Sequence, residues 1–294
     1  MALRSRTGSA PAWPSILVLA AVTGAAALLA GCGGNDDETP PTIRETTFGL
    51  VEGQDLSAAS GTYAWKGVPY AKAPVGALRW KAPVDPDTWF GAVRPAQQFA
   101  PACVQYGRIY GPGANNTYDA TIAATLNTAV GSEDCLFLNI WRPATAEAAL
   151  PVIVFIHGGS NVSGYTADPV YDGAALAKAA NAVVVTVNYR LGIFGWLNLP
   201  QLKDGTSAAE DSGNFATLDT IQALRFVNRN IQRFGGDAGS VTVIGQSAGA
   251  INVYALLTAP QMVAASPKLM HRAVAMSGGF SLATNLPAGS LPTL

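Results

Sequence analysis

Residues 241–249 read VTVIGQSAG, and the uncharged stretch AINVYALL, residues 250–257, follows at once. The first four residues are β-branched, as suits a strand covered on both faces, and the last eight suit a helix. Between them lies Gly-x-Ser-x-Gly. A serine at that junction sits on a tight, strained turn that lifts its hydroxyl above the sheet. Gly245 and Gly249 stand two residues to either side, where a side chain would collide as the chain reverses. The helix that begins there aims its first amides at the serine, so the Ala248 N–H can bind a developing oxyanion. Ser247 is therefore the candidate nucleophile.

Working upstream, VIVFI at residues 152–156 runs directly into His157-Gly158-Gly159-Ser160. A glycine-rich turn after a buried strand exposes backbone N–H groups, and an acyl-transfer site needs such donors. Gly158, Gly159, Ser160 and Ala248 are the expected oxyanion hole. Two more short apolar runs, 183–187 (VVVTV) and 273–276 (AVAM), complete a set of four strands expected to be central and covered on both sides. Between them, residues 214–234 place Leu218, Ile221, Leu224, Val227 and Ile231 on one helical stripe. Ser212 or Asn214 is the expected cap and Gly235-Gly236 the stop. Strands alternating with helices predict an α/β class with a mostly parallel central sheet, right-handed crossovers and flanking helices. Residues 43–90, full of glycine and proline turns, predict a small antiparallel region, and residues 100–132 a surface excursion.

The bulk properties narrow the partners. The chain has 294 residues, 49% of them hydrophobic and 13% charged, with a net charge of −1. Without clusters of Lys and Arg, nucleic acid is not an expected partner. No metal or cofactor motif stands out, and the oligomeric state is not legible. The first residues read as an address. Arg4 and Arg6 precede an apolar run at residues 16–30, the length of a signal-peptide core, which closes on Leu29-Ala30-Gly31-Cys32. That ending resembles a lipobox, which makes residues 1–31 a lipoprotein signal peptide and Cys32 the lipidated first residue. Residues 32–42 then form a flexible tether and residues 43–294 the domain. Export to a bacterial cell envelope, with membrane attachment through Cys32, is expected. The other two cysteines, Cys103 and Cys135, are either a disulfide or two buried thiols. A bond would close a loop of about thirty residues, worth roughly 3–4 kcal/mol.

The segments 65–71 (WKGVPYA), 78–80 (LRW), 132–140 (SEDCLFLNI), 157–159 (HGG), 188–192 (NYRLG), 230–237 (NIQRFGGD), 245–249 (GQSAG) and 271–278 (HRAVAMSG) occur in an order that resembles the type-B carboxylesterase family, which includes cholinesterases and related lipases. The resemblance implies an α/β-hydrolase fold, serine-dependent hydrolysis of a small carboxylic ester through an acyl-enzyme, no cofactor, and a Cys103–Cys135 bridge. Two residues depart from the family pattern. Gln246 stands where a glutamate is usual, and Ser160 where a third glycine is usual.

A serine needs a base, and in this fold the acid and the histidine follow the nucleophile in the chain. Downstream of Ser247 there is no Asp or Glu, and the one histidine, His271, just precedes the run 273–276. The triad acid and histidine are therefore expected beyond Leu294, and the chain as it stands is expected to be a fragment of little activity. The alternative expectation is a membrane-tethered, non-catalytic binding module like the cholinesterase-like adhesion proteins.

Overall fold

A computed structural model describes residues 40–114 and 116–279. The signal peptide, Cys32 and most of the expected tether lie outside the described residues.

Among the described residues, twelve strands form in chain order: β1 (Ile43–Thr46), β2 (Gly49–Glu52), β3 (Gln54–Leu56), β4 (Thr62–Pro69), β5 (Val93–Pro95), β6 (Gln105–Tyr106), β7 (Ala129–Val130), β8 (Phe137–Pro143), β9 (Leu150–Ile156), β10 (Val183–Val187), β11 (Gly236–Gln246) and β12 (Arg272–Met276). Seven of them build one sheet in the order β12-β11-β9-β10-β8-β4-β3. The four runs read from the sequence are its parallel half, with β10 beside β9, β9 beside β11 and β11 beside β12. The other half, β8, β4 and β3, is antiparallel, which makes the sheet mixed.

Burial follows the residues. All five residues of β10 are buried, because sheet neighbours and packed helices cover both faces. Each such valine contributes about 1.5–3 kcal/mol relative to an exposed one. β12 differs from the other three runs. It lies at the edge with β11 on one side and no second strand among the described residues, so Val274 and Met276 remain 42% and 40% exposed.

The helix Phe215–Asn230 buries Ile221, Leu224 and Val227 of the expected stripe, and Leu218 packs partly against the core. It ends earlier than the pattern predicts. Asn230 turns its amide back onto Phe226 O and accepts the Thr47 N–H at 2.7 Å, and a 3-10 turn, Ile231–Phe234, follows. Gly235, at φ 80°, then makes the left-handed stop. Asn214 occupies the N-cap without a side-chain cap bond, while Ser212 Oγ accepts the Asn214 N–H at 3.1 Å.

Residues 43–90 contribute the antiparallel pair β1–β2, but β3 and β4 join the main sheet instead. The excursion at 100–132 holds the small β6–β7 ribbon and a one-turn helix, Ile122–Thr125. A disulfide between Cys103 and Cys135 closes it. Among the described residues no helix is long and apolar enough to cross a membrane, and no cluster of His, Cys, Asp or Glu is suited to a metal ion.

Candidate active site

Ser247 ends β11 and precedes the helix Ala248–Thr258, with φ 55° and ψ −122°. That conformation is costly for a residue with a Cβ and survives only where the surroundings dictate it. The strand on one side and the helix on the other do so here. The Ser247 N–H donates to Met276 O at 2.8 Å, and Ser247 O accepts the Ala250 N–H at 2.9 Å. The flanking glycines are required by space. A Cβ on Gly245 would lie 2.1 Å from Gly249 O, and one on Gly249 would lie 2.2 Å from Ile156 O. Ser247 itself remains partly exposed.

The glycine turn after β9 is pressed against this elbow. A Cβ on Gly158 would come within 2.7 Å of Gln246 O and 3.1 Å of the Ser247 Cβ. Gly159 turns at φ 109°, and its carbonyl gathers the Val162 and Ser163 N–H groups and the Ser163 hydroxyl. Ser160 and Asn161 follow at φ 55° and 58°. Ser160 thus occupies a left-handed position that a glycine would adopt without strain. Among the described residues, the amides of Gly159, Ser160 and Ala248 donate to no backbone acceptor. Tyr171, beside the same turn, titrates above its ordinary value, raised first by burial and then by the Asp168 charge.

Neither histidine is placed as an effective base. His157 is buried, with Nδ1 bonded to Gly158 O at 2.9 Å and its ring stacked on Tyr189 at 4.5 Å. Burial lowers its pKa to about 4, and a ring that resists protonation this strongly is a poor acceptor for a serine proton. His271 bonds Val241 through both its backbone N–H and Nδ1. Val241 is six extended residues before Ser247, so His271 sits about 20 Å away at the other end of the strands.

Sequence reading missed a buried ion pair between the loop after β10 and the long helix. Arg190, on the loop after β10, meets Asp219 of the helix Phe215–Asn230 through Nε at 2.8 Å and Nη2 at 2.7 Å. Both side chains are buried. Burial alone would lower the Arg190 pKa, but the Asp219 charge and its hydrogen bonds leave it raised. Asp219 also accepts the Arg190 backbone N–H at 3.1 Å. A lone Asp in a helical stripe carries no local signal of this role. The NYRLG segment that holds its partner was the available clue.

The model of the carboxylesterase family matches residues 40–287. Para-nitrobenzyl esterase of Bacillus subtilis is 38% identical over 248 residues, covering 84% of this chain and 46% of its own length. Fumonisin B1 esterase of Sphingopyxis macrogoltabida is 39% identical over 279 residues, covering 94% of this chain and 45% of its own. Among solved structures, a PNB esterase superposes with a TM-score of 0.69 at 38% identity, over 81% of this chain and 44% of that one. A Geobacillus stearothermophilus carboxylesterase gives 0.63 at 40% identity, over 79% and 43%. The chain spans about half the length of these relatives. Its fold is the α/β-hydrolase fold, and the chain belongs to the carboxylesterase family.

Proposed function

We propose that the chain carries the nucleophile and oxyanion hole of a serine carboxylic ester hydrolase. Ser247 would attack the ester carbonyl and form an acyl-enzyme. The N–H groups of Gly159, Ser160 and Ala248 would hold the oxyanion, and Gly158 would bring the turn against the elbow. The support for this reading is the strained Ser247 at the strand-to-helix elbow, with Gly158 pressed against it and the amides of Gly159, Ser160 and Ala248 donating to no backbone acceptor among the described residues. A strained turn of this kind costs on the order of 1–3 kcal/mol and has no evident use in a surface that only binds.

Because neither His157 nor His271 can act efficiently as base, turnover is a poor readout, and single adduct formation is the better one. The full chain is treated with excess fluorophosphonate at pH 9, where hydroxide can take the serine proton, and the adduct is mapped by mass spectrometry. The expected result is one adduct on Ser247 that disappears in Ser247→Ala. Equal labelling of other serines, or a label unchanged in the variant, would overturn the reading and favour the binding module. We also propose attachment to the bacterial cell envelope through a lipidated Cys32. Cys32→Ser should release the protein from the membrane fraction, and a chain still lipidated after that change would refute it.

A further inference from the structure

A cavity of about 210 Å³ opens beside the glycine turn, with Gly158 and Gly159 in its wall and Arg108, Tyr110, Asp168 and Tyr171 around it. Most of its polar groups are already engaged. Asp168 Oδ1 accepts the Val170 N–H at 3.0 Å, the Tyr171 ring packs against Phe155, and the Ser163 hydroxyl donates to Gly159 O. Arg108 and Tyr110 differ. Among the described residues, neither side chain has a hydrogen-bond, ion-pair or ring partner.

The segment that presents them is pinned at both ends. On one side of Arg108, the Gln105 side chain makes a reciprocal amide pair with Gly164, donating to its carbonyl and accepting from its N–H, each at 2.9 Å. On the other, the Tyr165 hydroxyl donates to Gly111 O at 3.2 Å. Residues 105–111 are therefore strapped across the loop that carries the glycine turn, and the Cys103–Cys135 bond anchors the base of the strap. An arginine held at a pocket mouth with no internal partner is matched by a carboxylate, to which its fork donates two parallel hydrogen bonds, with a tyrosine hydroxyl beside it as a further donor. Gln246, whose Oε1 also faces Gly158, adds no charge. Asp168 adds one negative charge to the lining but forms no ion pair with Arg108, whose exposed guanidinium is left to meet the ligand.

We infer that Arg108 is a specificity-determining residue, and that this pocket takes an ester substrate carrying a second, ionised carboxyl group. The inference rests on the ester-hydrolase reading for the word substrate, but the pocket can be tested apart from the serine. In the full chain with Ser247→Ala, monomethyl glutarate and dimethyl glutarate are titrated by calorimetry at low salt. The monoanion should bind at least about tenfold more tightly, and the preference should fade at high salt. Arg108→Gln should bring the ratio close to one, while Arg108→Lys should retain part of it. Equal binding of the two esters, or a preference that persists in Arg108→Gln, would overturn the inference. Phosphonylation of Ser247 in the chain with Arg108 intact reports separately on the serine, so each idea can fail without the other.

Discussion

Asn252, one turn into the helix that follows Ser247, donates from Nδ2 to Asn161 Oδ1 at 3.0 Å. The bond fastens the helix that carries the Ala248 amide to the loop that carries those of Gly159 and Ser160. The Tyr189 hydroxyl braces the same loop, donating to His157 O at 2.7 Å. The two sides of the proposed oxyanion hole are therefore held to each other by side chains that lie behind it.

Asn252 is buried, so Asn252→Ala leaves Asn161 without its buried partner. The expected loss is about 1–3 kcal/mol in urea unfolding, together with slower phosphonylation of Ser247. A variant that kept both stability and labelling rate would show that the two sides are positioned independently.

Ser160 can be tested by restoring glycine. At φ 55° a serine is strained, whereas glycine is at ease but loses more chain entropy on folding. Because the strain is the larger of the two, Ser160→Gly should stabilise the chain by roughly 0.5–1 kcal/mol. Asn161→Gly, at nearly the same φ, should instead destabilise the chain, because it leaves the buried Asn252 amide without its acceptor. Denaturation midpoints of the two variants side by side decide the point.

Breaking the buried Arg190–Asp219 pair should be expensive. Asp219→Asn leaves a buried guanidinium without its counter-charge, with an expected cost of about 3–5 kcal/mol by chemical denaturation. The same substitution at the exposed pair Lys72–Asp87, Asp87→Asn, should cost less than about 1 kcal/mol. Similar losses at the two sites would show that burial does not set the cost of losing the Arg190–Asp219 pair.

His157 predicts a pH dependence. Its folded pKa, lowered to about 4 by burial, lies below the ordinary 6.5, so the unfolded chain takes up the proton first as pH falls. The contribution is complete above pH 6.5, erodes between 6.5 and 4, and amounts to about 3 kcal/mol when lost. His157→Gln should flatten the stability profile across that interval. A variant profile as steep as that of the parent would assign the dependence to other groups.

The parallel half of the sheet, the elbow at Ser247 and the glycine turn were legible because each depends on local chemistry. Runs of β-branched residues announce strands buried on both faces, and a reversal as tight as that at Ser247 leaves room only for glycine at 245 and 249. Within the antiparallel half, β8 was not legible. β8 carries Asn139 and Arg142 within its buried run, which spoils an apolar pattern. Those side chains are tolerated because the fold supplies partners from distant segments: Thr166 and Thr186 accept from Asn139, while Thr145 O and Glu147 O accept from Arg142. The same holds for Asp219, an undistinguished helical residue until Arg190 is packed against it. Sequence alone determined the residues whose role is set by their own backbone and immediate neighbours. Tertiary structure decided those whose burial is tolerable only beside a partner far along the chain, because an unpaired polar group in the interior has no stable place until that partner arrives.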